Sequence, residues 1–189
     1  MKEFRGHFLD GDIEAYRELG RQVPVGGSVA EIGVMFGKSL QVLCELFGIN
    51  YFGEKIYAID TWDGTSDEPD TMALYKKENV YGIFLNNIRE AGYNHIVTPV
   101  RMDSLEAAAK FQKTATQFDL IFLDSKHEFN FVREEIDVWM PNLKPGGTIS
   151  GHDLRYPNGV AHAVYLKFGK KNVQTYKNSS IWSIRNNQC

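Results

Sequence analysis

Between positions 29 and 39 the chain reads Val-Ala-Glu-Ile-Gly-Val-Met-Phe-Gly-Lys-Ser. Four of these residues, Glu31, Gly33, Gly37 and Ser39, have the types and spacing to cradle a nucleotide-like ligand. Glycine leaves the backbone bare where a chain must turn tightly or a ligand must come close. Three ligand classes compete for such a loop. A dinucleotide needs three glycines, as G-x-G-x-x-G. Here only Gly33 and Gly37 are present, four apart, and a pyrophosphate would meet side chains. A nucleoside triphosphate needs G-x-x-x-x-G-K-[ST]. The segment from Gly33 to Ser39 is one residue short of that, and the curvature of an anion nest depends on its length.

The third ligand is S-adenosylmethionine. It has no phosphate and carries an ammonium and a sulfonium, which suit the acid Glu31 where a phosphate would be repelled. A bare turn between strand and helix is the structural alternative.

Further candidate residues follow in order. Asp60 comes 27 residues after Gly33, and a carboxylate there can accept both hydroxyls of a ribose. It can equally be a turn aspartate of Asp-Thr-Trp-Asp-Gly. Trp62 can lie on an adenine face or sit in the core. Asp103 and Ser104 can cap a helix, face the adenine, or do both. Asp124 closes the apolar run Phe-Asp-Leu-Ile-Phe-Leu and is followed by Ser125, Lys126 and His127; His152 and Asp153 follow a second such run.

The elements that must place these residues read as alternating strands and helices. Residues 10–22 form a helix that Asp10 or Asp12 could cap, with Ile13, Tyr16 and Leu19 on one face. Residues 1–22 as a whole are expected over the ligand mouth. Strand one ends at the glycine loop, and the next helix carries Leu40, Leu43, Cys44 and Phe47 at i, i+3, i+4 and i+7. Strands are expected at 55–60, 95–100, 118–123 and 148–151. Residues 63–80 read as a polar connection, either a lid or a solvated loop. Helices follow at 84–91, from Ser104, before Pro141, and at 157–169. Two short strands, 173–176 and 181–184, are separated by four residues. That gap permits a hairpin but no helical crossover, so the last strand is expected to be antiparallel.

The chain has 189 residues, enough for one domain that buries roughly 70% of its unfolded surface. Two cysteines, Cys44 and Cys189, make no disulfide framework and fit a reducing, cytoplasmic compartment. A net charge of -3 with no basic block points away from nucleic acid. No apolar run approaches the ~20 residues of a membrane span, and the amino terminus lacks the apolar segment of a secretory signal. Self-association is left open.

The motifs Glu31-x-Gly33-x-x-x-Gly37-x-Ser39, Asp60, Asp103-Ser104, Asp124-x-x-His127, Leu143-Lys144-Pro145-Gly146-Gly147 and His152-Asp153 occur in the order of class I S-adenosylmethionine-dependent methyltransferases. Within that group the chain most resembles the macrocin O-methyltransferase branch, over roughly residues 20–185. The resemblance implies a Rossmann-like three-layer α/β/α sandwich. Its seven-stranded, mostly parallel sheet would have the order 3-2-1-4-5-7-6, with strand seven antiparallel. It implies that Glu31, Gly33, Gly37 and Ser39 surround the methionine part of the cofactor, Asp60 the ribose, and Asp103 and Ser104 the adenine. It places Asp124 and Asp153 where metal-dependent members hold a divalent cation, and His127 at the position of a general base. His152 stands where those members place an acid or amide. A nitrogen ligand would shift the preference from magnesium toward manganese; a site without metal is the other reading.

The implied activity is methyl transfer to the hydroxyl of a small molecule or sugar. A nicotinamide-dependent oxidoreductase and a non-catalytic cofactor-binding module are the competing functions.

Overall fold

The computed structural model describes residues 3–48, 52–64, 69–156 and 159–187. Strands β1 (Ser28–Ile32), β2 (Lys55–Asp60), β3 (Val97–Arg101), β4 (Phe118–Leu123), β5 (Leu143–Gly151), β6 (Gln174–Thr175) and β7 (Trp182–Arg185) form one sheet. Its order is β3-β2-β1-β4-β5-β7-β6. The first five strands pair in parallel, and β7 runs antiparallel to both β5 and β6. The antiparallel last strand follows from its short link to β6, as the spacing predicts.

Helices cover both faces. On one side α1 (Asp10–Gly20), α2 (Lys38–Gly48) and α4 (Val80–Glu90) pack Tyr16, Leu43 and Phe84 against Val29, Leu120 and Phe122. On the other, α5 (Ser104–Lys113), α6 (Phe129–Trp139) and α7 (Val160–Phe168) pack Phe111, Ile136 and Val164 against Ala30, Ile32 and Ile121. Alternate residues of β1 and β4 thus enter opposite cores, which is why these strands read as nearly continuous apolar runs. Each fully buried Leu, Ile or Phe contributes about 1.5–3 kcal/mol. Cys44 is free and buried in the first core, and Cys189 lies outside the described residues.

Several boundaries differ from the sequence reading. The polar connection at 63–80 contains a further helix, α3 (Pro69–Lys77); Asp67 and Glu68 lie outside the described residues. The next helix, α4, starts four residues early because Asn79 caps it, its side chain accepting from Gly82 N at 2.9 Å. His95 belongs to a single turn before β3. Strand β5 begins at Leu143 and runs through Pro145-Gly146-Gly147, with a register shift opposite Phe118 and Leu120. Among the described residues no helix is long and apolar enough to cross a membrane.

Candidate active site

The carboxyl ends of β1, β2, β4 and β5 open into a cavity of about 900 Å³. Its floor is the glycine loop. Gly33 has φ +83°, and a Cβ there would stand 1.9 Å from the carbonyl oxygen of Asp124, so only glycine lets β1 and β4 end side by side. Gly37 has φ +88° and turns the chain into α2, but a Cβ on it would face Phe84 and Phe4. Gly37 is therefore a turn residue in the core and, against expectation, does not line the cavity.

Asp60, at the end of β2, holds this loop. Its Oδ2 accepts from Val34 N (2.8 Å) and Met35 N (2.9 Å), and its Oδ1 accepts from Trp62 N (2.7 Å). Burial raises its carboxyl pKa, while these backbone donors pull it back. The bonds explain how Met35 and Trp62, neither a glycine, stay at φ 51° and 53°. They also bear on the ligand: the N–H groups that a pyrophosphate nest would use are already donated to Asp60.

Two further expectations are corrected. Trp62 is 4% exposed and does not line the cavity. Its Nε1 donates to Met35 O (2.8 Å), and its ring packs on Tyr81 and Phe84 at centroid distances of 4.7 and 4.9 Å. It props the loop from below and offers no adenine platform. Glu31 is fully buried on the helical side of β1, where Tyr16 OH donates to it at 2.7 Å and Ser39 Oγ at 2.6 Å. Tyr16 and Ser39 cover its side chain from the cavity, and burial pushes its pKa up to about 7. Ser39 reaches the cavity wall; Glu31 does not.

At the next wall Asp103 caps α5, accepting from Leu105 N at 2.9 Å, and faces the cavity. Ser104 also lines it, but its Oγ donates to Glu135 Oε1 (2.5 Å) and accepts from Trp139 Nε1 (3.0 Å). Ser125 Oγ donates to the same Glu135 oxygen at 2.6 Å. Glu135 is 1% exposed, and burial pushes its pKa up to about 7. It ties the α5 wall to the loop after β4. The sequence reading missed it. Its only signal is an acid beside the inward stripe Val132, Ile136 and Trp139.

The last wall collects the histidines and aspartates. His127 Nε2 lies 2.6 Å from Asp153 Oδ2, and His152 Nδ1 lies 3.1 Å from Asp153 Oδ1 and 3.9 Å from Asp124 Oδ1. Asp153 itself has φ 62°, a strained conformation of the kind found where a side chain is aimed for function. Beyond His152 stands Asp12 of α1, 2% exposed, its Oδ2 3.2 Å from His152 Nε2. That contact is close enough for charge pairing but lies off the axis of a hydrogen bond. Burial alone would lower the His152 pKa, yet Asp12, Asp153 and Asp124 outweigh it and raise it to about 11. Burial likewise opposes the charge on Asp12, but His152, Ser179 and Ser180 hold it at about 2. Asp153 stays well below the usual carboxylate range because two histidines outweigh its burial.

Asp124, His152 and Asp153 each offer one donor atom, and the three atoms lie within 4.8 Å of one another. Two oxygens and one nitrogen are a donor set that fits a first-row transition-metal dication better than magnesium.

The sequence profile of the methyltransferase domain family matches residues 30–154, from β1 to just beyond the His152–Asp153 pair. The chain belongs to this family. Its strand order and helical layers are those of the class I S-adenosylmethionine-dependent methyltransferases. Among methyltransferases of known structure, it is similar to the calicheamicin methyltransferase CalS11 (TM-score 0.72, 20% identity, 92% of this chain and 78% of that one). An O-methyltransferase from Bacillus cereus in complex with SAH gives TM-score 0.66 at 16% identity, over 95% of this chain and 82% of that one. The O-methyltransferase NovP gives 0.62 at 16% identity, over 93% and 79%. At these identities the likeness is one of fold. The uncharacterized protein y4gI of Sinorhizobium fredii (strain NBRC 101917 / NGR234) is 20% identical over 125 residues. That is 66% of this chain but 13% of y4gI, so the methyltransferase domain spans a small part of that relative.

Proposed function

We propose that the chain is one methyltransferase domain that transfers a methyl group from S-adenosylmethionine to the hydroxyl of a small molecule, with His127 as general base. The observation that carries this reading is the 2.6 Å contact between His127 and Asp153, in the same cavity as the glycine loop. The similar structures support oxygen as the acceptor atom: two are described as O-methyltransferases, and CalS11 as a TDP-rhamnose 3'-O-methyltransferase. A sugar hydroxyl is accordingly the first acceptor to test.

When bound, S-adenosylmethionine supplies an already activated methyl group, so the protein's main task is alignment, which can remove several kcal/mol of barrier. Gly33, Ser39, Asp60, Asp103 and Ser104 bind it, with Asp60 acting chiefly by fixing the loop. Asp153 holds His127 through Nε2 and so orients the ring as a base. His127 takes the hydroxyl proton as the new oxygen–carbon bond forms and the carbon–sulfur bond breaks. Asp124, Asp153 and His152 would hold a divalent cation, which when bound lowers the pKa of a hydroxyl near it.

Calorimetry with S-adenosylhomocysteine and with NADH tests the reading. Micromolar binding of the first and none of the second is expected. The reverse outcome would establish the oxidoreductase, against which Asp60 already stands by occupying the loop amides.

A further inference from the structure

Asp12 lies far from every motif of the sequence, yet it reaches the histidine cluster. Its Oδ1 accepts from Ser179 Oγ (2.7 Å) and Ser180 N (2.9 Å), in the turn before β7, so the carboxylate cannot swing. Its Oδ2 accepts from Leu9 N (3.1 Å) and faces His152 Nε2 at 3.2 Å. The ring of Phe8 covers the imidazole, with centroids 5.6 Å apart. His152 is 9% exposed.

We infer that Asp12 is a positioning residue that orients the His152 ring and thereby makes Asp124, His152 and Asp153 a mixed oxygen–nitrogen site selective for manganese over magnesium. The fixed carboxylate behind Nε2 and the Phe8 ring beside the imidazole set the orientation of the His152 ring. Nδ1 then faces Asp153 Oδ1 and Asp124 Oδ1, the side on which a cation, displacing the Nδ1 proton, would share all three donors. A carboxylate behind a ligating imidazole orients the ring and raises its basicity, and its loss typically weakens metal binding 10–100-fold. An imidazole ligand suits first-row transition metals better than magnesium, which demands oxygen. The inference rests on the reading of Asp124 and Asp153 as cation ligands.

The test titrates the full chain with Mn²⁺ and follows free Mn²⁺ by electron paramagnetic resonance, with Mg²⁺ as competitor. Wild type is expected to bind one Mn²⁺, displaced only by a large excess of Mg²⁺. Asp12→Asn, which keeps an oxygen for Ser179 and Ser180, should bind 10–100-fold more weakly. Should that variant fail to fold, Ser179→Ala leaves the charge but frees the carboxylate, and a several-fold loss is expected. S-adenosylhomocysteine affinity, measured alongside, reports whether each variant keeps its cofactor site. Equal Mn²⁺ affinity in the folded variant overturns the role of Asp12 alone. No Mn²⁺ binding by wild type overturns the cation site and this inference with it, while unchanged S-adenosylhomocysteine binding leaves the methyltransferase reading standing.

Discussion

Asp153 divides one carboxylate between two histidines, Oδ2 to His127 at 2.6 Å and Oδ1 to His152 at 3.1 Å. The first contact orients the proposed base and the second joins it to the buried cluster behind. Replacing His127 by alanine should lower turnover by about 10²-fold or more on any acceptor that wild type methylates. Affinity for S-adenosylhomocysteine should change by less than a few-fold. Retained turnover would remove His127 from the chemistry.

In the proposed reading Asp60 acts on the cofactor through the loop that it holds. Asp60→Ala deletes the acceptor for three backbone N–H groups, each bond to a charged group contributing about 1.5–3 kcal/mol. Cofactor affinity should fall at least tenfold by calorimetry, with a lower melting temperature. An unchanged affinity would show that the loop keeps its shape unaided.

Gly33 tolerates no side chain. Gly33→Ala would bring Cβ within 1.9 Å of backbone at Asp124 and strain a positive φ. A loss of several kcal/mol in denaturant melts is expected, the range of mutations that force backbone apart. A variant as stable as wild type would mean that the two strand ends can separate.

The buried acids set a direction for stability against pH. Glu31 and Glu135 are each pushed up to about 7, so the folded chain keeps protons that the unfolded chain releases near 4.5. Their contribution is complete below that lower value and is lost as pH rises through about 7. Glu135→Gln cannot titrate, so its stability relative to wild type should increase between pH 5 and pH 8. A flat difference across that window would show that Glu135 is ionised in the folded state.

Much of the frame was legible because it is local. Hydrophobic runs gave the strands, and the short link between β6 and β7 excluded a crossover. The glycine loop and the two terminal aspartates of β4 and β5 announced which sheet edge mattered. What the sequence hid is relational. Glu31 and Trp62 have the right types for a ligand, but Tyr16 and Ser39 cover the first and a positive φ turns the second into the core. Glu135 looks like one more acid on an amphipathic helix. Asp12 acquires meaning only through Ser179 and Ser180, about 170 positions away. Helix α3 was masked by polar composition, since a half-covered helix carries no strong apolar stripe.

The stitch between α1 and the turn before β7 has a bearing on biogenesis. A ribosome makes the α1 segment early, but Asp12 can meet its serine partners only after residue 180 has left the exit tunnel. Until then the nascent chain carries a loose imidazole and an incomplete sheet edge at β5. The Asp12–His152 contact is thus among the last to be arranged during synthesis, which ties it to completion of the sheet.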